Sequence, residues 1–451
     1  MLKINWFSPL PPQASGIAQN FCRQVLPALT VRHETILWTD QDSVSPQVER
    51  LARVAHFDPA NPPWRALNEA DICIYHLGNH GGFHGGIWRI SRQHAGIVVL
   101  HDLCLHDFFN VVFLRGLKKP DEYLAALERW YGAEGRRAGE AFQTGGISAE
   151  NMGRRFPLTR EAAHGALGIV THSPHTLAEL NEKLVCPVAG LDHPFAPAAE
   201  SVYRAWLAAR NRTPGPPYRL VVFGYLSTNR RLESLLEALS RMPERGQFHL
   251  HICGELWDET HIRAEIERLK LEPLVSLHGF LPDAQVEEQL SAAHLAINLR
   301  FPSMGEASGS QLQFFNYGLP TLVTRTGWYR TLPEDTVRFV RPDHEIDDIQ
   351  TQLRALLADP AAFRGMGECG RQLVKNYAPE TYVEALIHFA STCLDQTAHV
   401  AALRLAGKIG CDLFQWLHPA GSEHLLEQAS SGIATMFEHT PSCAASSKTS
   451  L

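Results

Sequence analysis

Glu306 is followed at once by Ala307-Ser308-Gly309-Ser310, and that order is chemically suggestive. A turn of small residues that opens a helix leaves backbone N–H groups unpaired and pointing outward. With the helix dipole, such an end favours a phosphate or diphosphate. A carboxylate just before it can accept hydrogen bonds from sugar hydroxyls. An anion site beside a hydroxyl-reading carboxylate describes a pocket for a nucleotide sugar. Ser308, Gly309 and Ser310 are its candidate donor-binding residues, with Gln313 one helical turn further on.

A second segment, Val222-Phe-Gly-Tyr-Leu-Ser-Thr-Asn-Arg-Arg-Leu232, adds positive charge. Gly224 ends an apolar run and lets backbone approach a ligand, and Arg230 can clamp a diphosphate. Asn229 and Arg231 flank it. In Val98-Val-Leu-His-Asp102, His101 and Asp102 stand where a strand leaves its sheet. A histidine there can donate to an oxygen or accept a proton near neutral pH. Gly78 and Asn79 sit in a stretch with five glycines and three histidines, Tyr75–Gly86, read as a strand end running into a loop. Ser15 and Gly16 can offer N–H donors at the start of a helix. His101, Asp102, His106 and Asp107 also raise metal binding. Two histidines five residues apart do not share a helix face, however, and no third ligand cluster stands out, so no metal site is expected.

These residues need elements to hold them. Short apolar runs alternate with helical stretches, the pattern of parallel α/β domains. Strands are expected at 3–7, 35–38, 71–77, 96–100, 168–171 and 188–191, with helices at 17–29, 122–143 and 175–184. The stretch Arg210–Tyr218, carrying Pro214-Gly215-Pro216-Pro217, reads as a linker. Strands follow at 220–223, 249–253, 275–277, 295–299, 321–324 and 338–340. Helices are expected at 231–240, 259–270, 283–292, 311–317, 346–358 and 360–377. The expected domains are 1–212 and 213–395, with a helical extension and polar tail over 396–451.

Composition narrows the class. The chain has 451 residues, 45% hydrophobic and 20% charged, with net charge −7. That is a globular protein with two or three domains and no footprint for nucleic acid. No apolar run is long enough to span a membrane, and the N-terminus does not read as a signal peptide. The nine cysteines form no C-x-x-C pair, and reduced thiols are expected. The localisation expected is cytoplasmic, with room for peripheral contact at the inner face of a membrane.

In order and spacing, the motifs SPLPPQASGIA, YHLGN, VVLHD, THS, FGYLSTNRRLESLLEAL, ICGE, LHGFL, NLRFPSMGEASGS and YGLPTLVTRTGWYRTLP resemble the group 1 (family 4) retaining glycosyltransferases of the GT-B fold. The resemblance runs from about Ile4 to Ala390. It implies two Rossmann-like parallel-sheet domains facing across a cleft, the first for the acceptor and the second for a UDP- or GDP-linked sugar. It implies no tightly bound cofactor and no metal. Arg230 matches the diphosphate-binding basic residue, Glu306 the first glutamate of E-x7-E, and His101 the cleft histidine. Ser15 and Gly16 match the loop that approaches the diphosphate or acceptor. Gln313 stands where the second glutamate is expected and one residue early, and Tyr225 stands where many members are basic. The implied activity is transfer of a sugar to an acceptor hydroxyl of a sugar, glycan or lipid-linked molecule, in polysaccharide or lipopolysaccharide assembly. Two alternatives share the architecture: a non-catalytic nucleotide-binding scaffold and a nucleotide-sugar epimerase.

Overall fold

Two parallel sheets organise the chain, and in each the strand order reverses once. The computed structural model describes residues 1–184 and 186–394. The first sheet has the order β3-β2-β1-β4-β5-β6-β7. Its strands are β1 Lys3–Phe7, β2 Glu34–Thr39, β3 Arg53–His56, β4 Ile72–Leu77, β5 Ile97–Leu100, β6 Gly168–Thr171 and β7 Val188–Gly190. The second has the order β10-β9-β8-β11-β12-β13. It contains β8 Tyr218–Phe223, β9 Phe248–Cys253, β10 Val275–Gly279, β11 Leu295–Asn298, β12 Thr321–Thr324 and β13 Arg338–Val340. The reversals fall between β1 and β4 and between β8 and β11. In open parallel sheets, ligands bind in the crevice outside the strands' carboxyl ends at such a switch point.

The strands are apolar because helices cover both faces. In β4, Cys73, Tyr75 and Leu77 enter one core cluster while Ile72 and Ile74 enter another. The helix Pro379–Leu394 closes the second of these faces. Its Tyr382, Val383, Leu386, Ala390 and Cys393 pack with Trp6, Phe21 and Leu26 of the first domain. The helix Glu200–Arg210 lies on the other lobe, where Tyr203 and Trp206 join Val221, Cys253 and Phe314. The chain therefore enters the second lobe before the proline-rich stretch and returns to the first one at its last described helix. The helical extension expected over 396–451 lies outside the described residues.

One expectation is corrected. The glycine- and histidine-rich stretch is not a loop: Gly81–Ser91 is a helix with Ile87, Trp88 and Ile90 buried. Its glycines serve close packing, since a β-carbon on Gly85 would stand 3.2 Å from Val112. The strand β3 also carried no clear signal, being short and only partly buried. All seven described cysteines are free, and Cys411 and Cys443 lie outside the described residues.

Candidate functional site

The loops that leave the two switch points meet across the cleft. From β8 the chain passes Gly224, at φ 119°, into the short turn Thr228–Arg230. Gly254, at φ 142°, sits so close under it that any β-carbon would strike the Gly224 carbonyl. From β11 the chain passes Arg300 and Pro302 into Glu306 and the helix Gly309–Asn316. Asn229 ties the two loops together: its carbonyl accepts from the Phe301 N–H at 2.8 Å, and its side-chain amide donates to the Pro302 carbonyl at 3.3 Å.

Arg230, Arg300 and Glu306 form the charged centre. Nε of Arg300 lies 3.2 Å from Oε1 of Glu306, and the two side chains are only 19% and 12% exposed. At that burial the pair is less screened by solvent than a surface one. The other Glu306 oxygen accepts from the Met304 N–H at 2.7 Å, which fixes the carboxylate. Arg230 is 3% exposed and donates to the Phe223 carbonyl at 3.0 Å. Burial, with Arg300 adding, lowers its pKa to about 10, so it stays cationic at neutral pH. Burial pulls the Arg300 pKa down, but Glu306, Tyr329 and Asp102 outweigh that and raise it. The Ser308 hydroxyl caps the helix start by accepting from the Gln311 N–H at 3.2 Å. It also lies 3.1 Å from the Ser310 hydroxyl.

The first domain supplies the facing wall. Asp102 follows β5 and accepts from the Asn79 N–H at 2.7 Å. Burial first, then the charge of Glu306, pushes its pKa up to about 7. Gly78 keeps this spot open, since a β-carbon there would come within 3.2 Å of the Asp102 carboxylate. The loop before Glu306 is docked on this wall. The Met304 carbonyl accepts from the N–H groups of Leu103 and Cys104 at 2.7 and 3.0 Å, and the Gly305 carbonyl accepts from Thr176 at 2.8 Å. This docking sets Glu306 near Asp102. His101 is half-buried, with Nε2 lying 3.0 Å from Nδ1 of His76. Behind it the rings of His76, His101, His172 and His193 surround Phe21 at 4.8–5.4 Å.

The structure thus gathers Gly78, Asn79, Asp102, Gly224, Arg230 and Glu306 around one cleft, with His101, Ser308, Gly309 and Ser310 on its walls. Some expected residues are engaged elsewhere. Arg231 donates to both oxygens of the buried Glu345 at 2.8 and 3.0 Å, a bond within its own lobe. The Ser15 hydroxyl accepts from the Ala18 N–H at 3.1 Å, and Gly16 is exposed beside it. Gln313 donates to Asn20 of the first domain at 2.9 Å. His106 is buried against the Tyr123 hydroxyl at 2.8 Å and shares no site with His101. Among the described residues, no group of three or more His, Cys, Asp or Glu is arranged to hold a metal ion. No helix among them is long and apolar enough to cross a membrane.

Sequence reasoning missed Arg300, Asn20, Thr176, His76, His172 and His193. Arg300 had one usable signal: it stands between an apolar strand end and Glu306. The others lie on separate elements and come together only in three dimensions.

Residues 207–373 match a family model described as glycosyl transferases group 1. A sequence comparison with curated proteins returns no match. By fold, the chain is similar to HepE from Anabaena, solved in complex with UDP and glucose, at TM-score 0.60 and 11% identity over 87% of this chain and 100% of that one. It is similar to sucrose-phosphate synthase from Thermosynechococcus elongatus at TM-score 0.60 and 14% identity, over 87% and 99% of the two chains. It is also similar to WaaG, described as a glycosyltransferase involved in lipopolysaccharide biosynthesis, at TM-score 0.54 and 14% identity over 86% and 99%. Identities this low establish the fold. The architecture is two Rossmann-like parallel-sheet domains, as in the GT-B glycosyltransferases.

Proposed function

We propose that the chain is a retaining glycosyltransferase that moves a sugar from a nucleoside-diphosphate sugar to an acceptor hydroxyl. One observation carries the reading: Arg300 and Glu306, with Arg230 beside them at the second sheet's switch point, face Asp102 of the first domain, which is bonded to Asn79 just after the switch-point strand β4. The match of residues 207–373 to glycosyl transferases, and fold neighbours solved with UDP, UDP-glucose or UDP and glucose, support the class and a UDP-linked donor.

In this reading the donor lies along the second domain. Arg230, Arg300 and the free N–H groups at Ser308–Ser310 neutralise charge growing on the departing diphosphate. Preorganised charge of this kind is usually the largest catalytic contribution. Glu306, held by Met304 and Arg300, orients sugar hydroxyls. The acceptor enters from the first domain. Its oxygen bonds to the anomeric carbon as the bond from that carbon to the diphosphate oxygen breaks on the same face. The acceptor proton passes to the departing diphosphate. His101 contacts the sugar by hydrogen bonding. The arginines and the helix N–H groups supply positive charge without a metal. The docked Met304–Glu306 loop keeps water from the reacting carbon.

The rival reading, a nucleotide-binding scaffold without catalysis, draws on one observation: Gln313, in the expected ribose-binding position, is bonded to Asn20. Incubation with UDP-, GDP- and ADP-linked sugars, with and without EDTA, separates the two. Nucleotide release that rises with added acceptor and ignores EDTA supports the transferase. Binding with no release supports the scaffold.

A further inference from the structure

His76 and the backbone leading to His101 leave adjacent strands, β4 and β5, and the two rings meet with Nδ1 of His76 3.0 Å from Nε2 of His101. The His101 N–H also donates to the Leu77 carbonyl at 2.9 Å, so the backbone under the pair is fixed. His76 is fully buried, its ring 4.1 Å from that of Trp6 and 5.3 Å from that of Phe21. His101 is half-buried and forms the open end of the pair.

Burial and neighbouring histidines, His172 first among them, hold both imidazoles far below their usual basicity. Both rings are therefore neutral, and a bond between two neutral imidazoles contains one proton. One ring donates and the other accepts. The far nitrogen of His76 decides which. That Nε2 is sealed from solvent and has no hydrogen-bond partner. A proton there would be an orphaned buried donor, a fault that folded proteins show more rarely than an unsatisfied acceptor. The His76 proton therefore sits on Nδ1 and is donated to Nε2 of His101. His101 must then carry its own proton on Nδ1.

We infer that His76 is a positioning residue that locks His101 into the Nδ1–H tautomer and a single ring orientation, so that His101 meets the cleft as a hydrogen-bond donor and not as a base. The inference rests on the glycosyl-transfer reading above. It assigns His101 to an oxygen of the moving sugar or the departing phosphate. It also leaves the acceptor proton to the diphosphate, because His101 has no free lone pair toward the cleft.

The test pairs two substitutions with one spectrum of the wild-type protein. His76→Asn keeps an amide N–H near the Nδ1 position but loses volume. His76→Phe keeps volume and ring shape but loses the donor. The expected result is a fall in kcat of about tenfold or more for His76→Phe with donor KM little changed, and recovery of most of it in His76→Asn. The reverse order, Phe active and Asn impaired, would mean that His76 only fills space and would overturn the inference. Nitrogen NMR of ¹⁵N-histidine-labelled wild type should show His101 protonated on Nδ1, and protonation on Nε2 would overturn it without any variant. Failure of wild type to bind any nucleotide would sink the functional reading instead, and the tautomer result stands apart from that.

Discussion

Gln313 and Asn20 hold hands across the cleft: Nε2 of Gln313 donates to Oδ1 of Asn20 at 2.9 Å. The first lies inside the helix Gly309–Asn316 of the second domain and the second in the segment Ile17–Cys22 of the first. A donor whose ribose takes the Gln313 N–H that Asn20 holds must break this bond. Asn20→Ala releases Gln313 in advance. A net hydrogen bond is worth about 0.5–1.5 kcal/mol, so nucleotide affinity should tighten about two- to tenfold. Calorimetry of both proteins checks this, and an unchanged or weaker Kd would place the ribose elsewhere.

Asp102 is held up to about 7 by burial and by the Glu306 charge. Replacing Glu306 by Gln removes a negative neighbour and favours the Asp102 anion. The Asp102 pKa should therefore fall in Glu306→Gln, read from the carboxyl carbon shift against pH. A pKa that holds or rises would show that the two carboxylates do not sense each other.

The buried histidines set an acid limit. Burial is the main cause that lowers His172 to about 3 and His193 and His84 to about 4, with His76 and His101 also far below 6.5. Below pH 6.5 the unfolded chain binds protons at these positions that the folded chain refuses. Their contribution is complete above pH 6.5 and is lost progressively as pH falls through about 4 and then about 3. Asp102, Asp40 and Asp192, all raised by burial, act in the opposite direction, but they are three groups against these five histidines and His251, which burial also lowers to about 3. Tm should drop steadily from pH 7 to pH 5, and a flat profile would mean that the histidines are hydrated.

The returning helix Pro379–Leu394 is part of the first domain's core. Leu386 is 0% exposed and packs with Trp6, Phe21 and Leu26. Leu386→Ala should cost about 2–5 kcal/mol in urea unfolding. A loss under about 1 kcal/mol would mean that the helix is only loosely seated.

Arg231 separates structure from function. Its guanidinium satisfies both oxygens of Glu345, which is 5% exposed. Arg231→Ala strands a buried carboxylate and should cost about 1–3 kcal/mol, while nucleotide affinity changes little. Lost binding with unchanged stability would restore Arg231 to the donor site.

The strands Lys3–Phe7, Gly168–Thr171, Thr321–Thr324 and Arg338–Val340 were legible to the residue; the first three are parallel strands buried on both faces that read as bounded apolar runs, and the last is a partly buried edge strand. The helix Gly81–Ser91 was not. Its four glycines signal a loop locally, and only the packed neighbour explains them. Arg230 and Glu306 were legible because each follows a strand end within a motif. Arg300 was hidden because an arginine after a strand is ordinary until its partner is known. The histidine cluster was hidden for a stronger reason: His76, His101, His172 and His193 leave different strands, so their assembly is a property of sheet order alone.

The central claim is that Arg230 and Glu306 serve glycosyl transfer, and turnover tests it most directly. Wild type, Arg230→Ala and Glu306→Ala would each be given UDP-, GDP- and ADP-linked sugars with simple glycoside acceptors, and nucleotide release followed. The account predicts acceptor-dependent release from one donor by wild type. It predicts a loss of about 100-fold or more in either variant, the scale of removing one preorganised charge contact. Release by the variants at the wild-type rate, or none from any donor by a wild type that is folded, would contradict it.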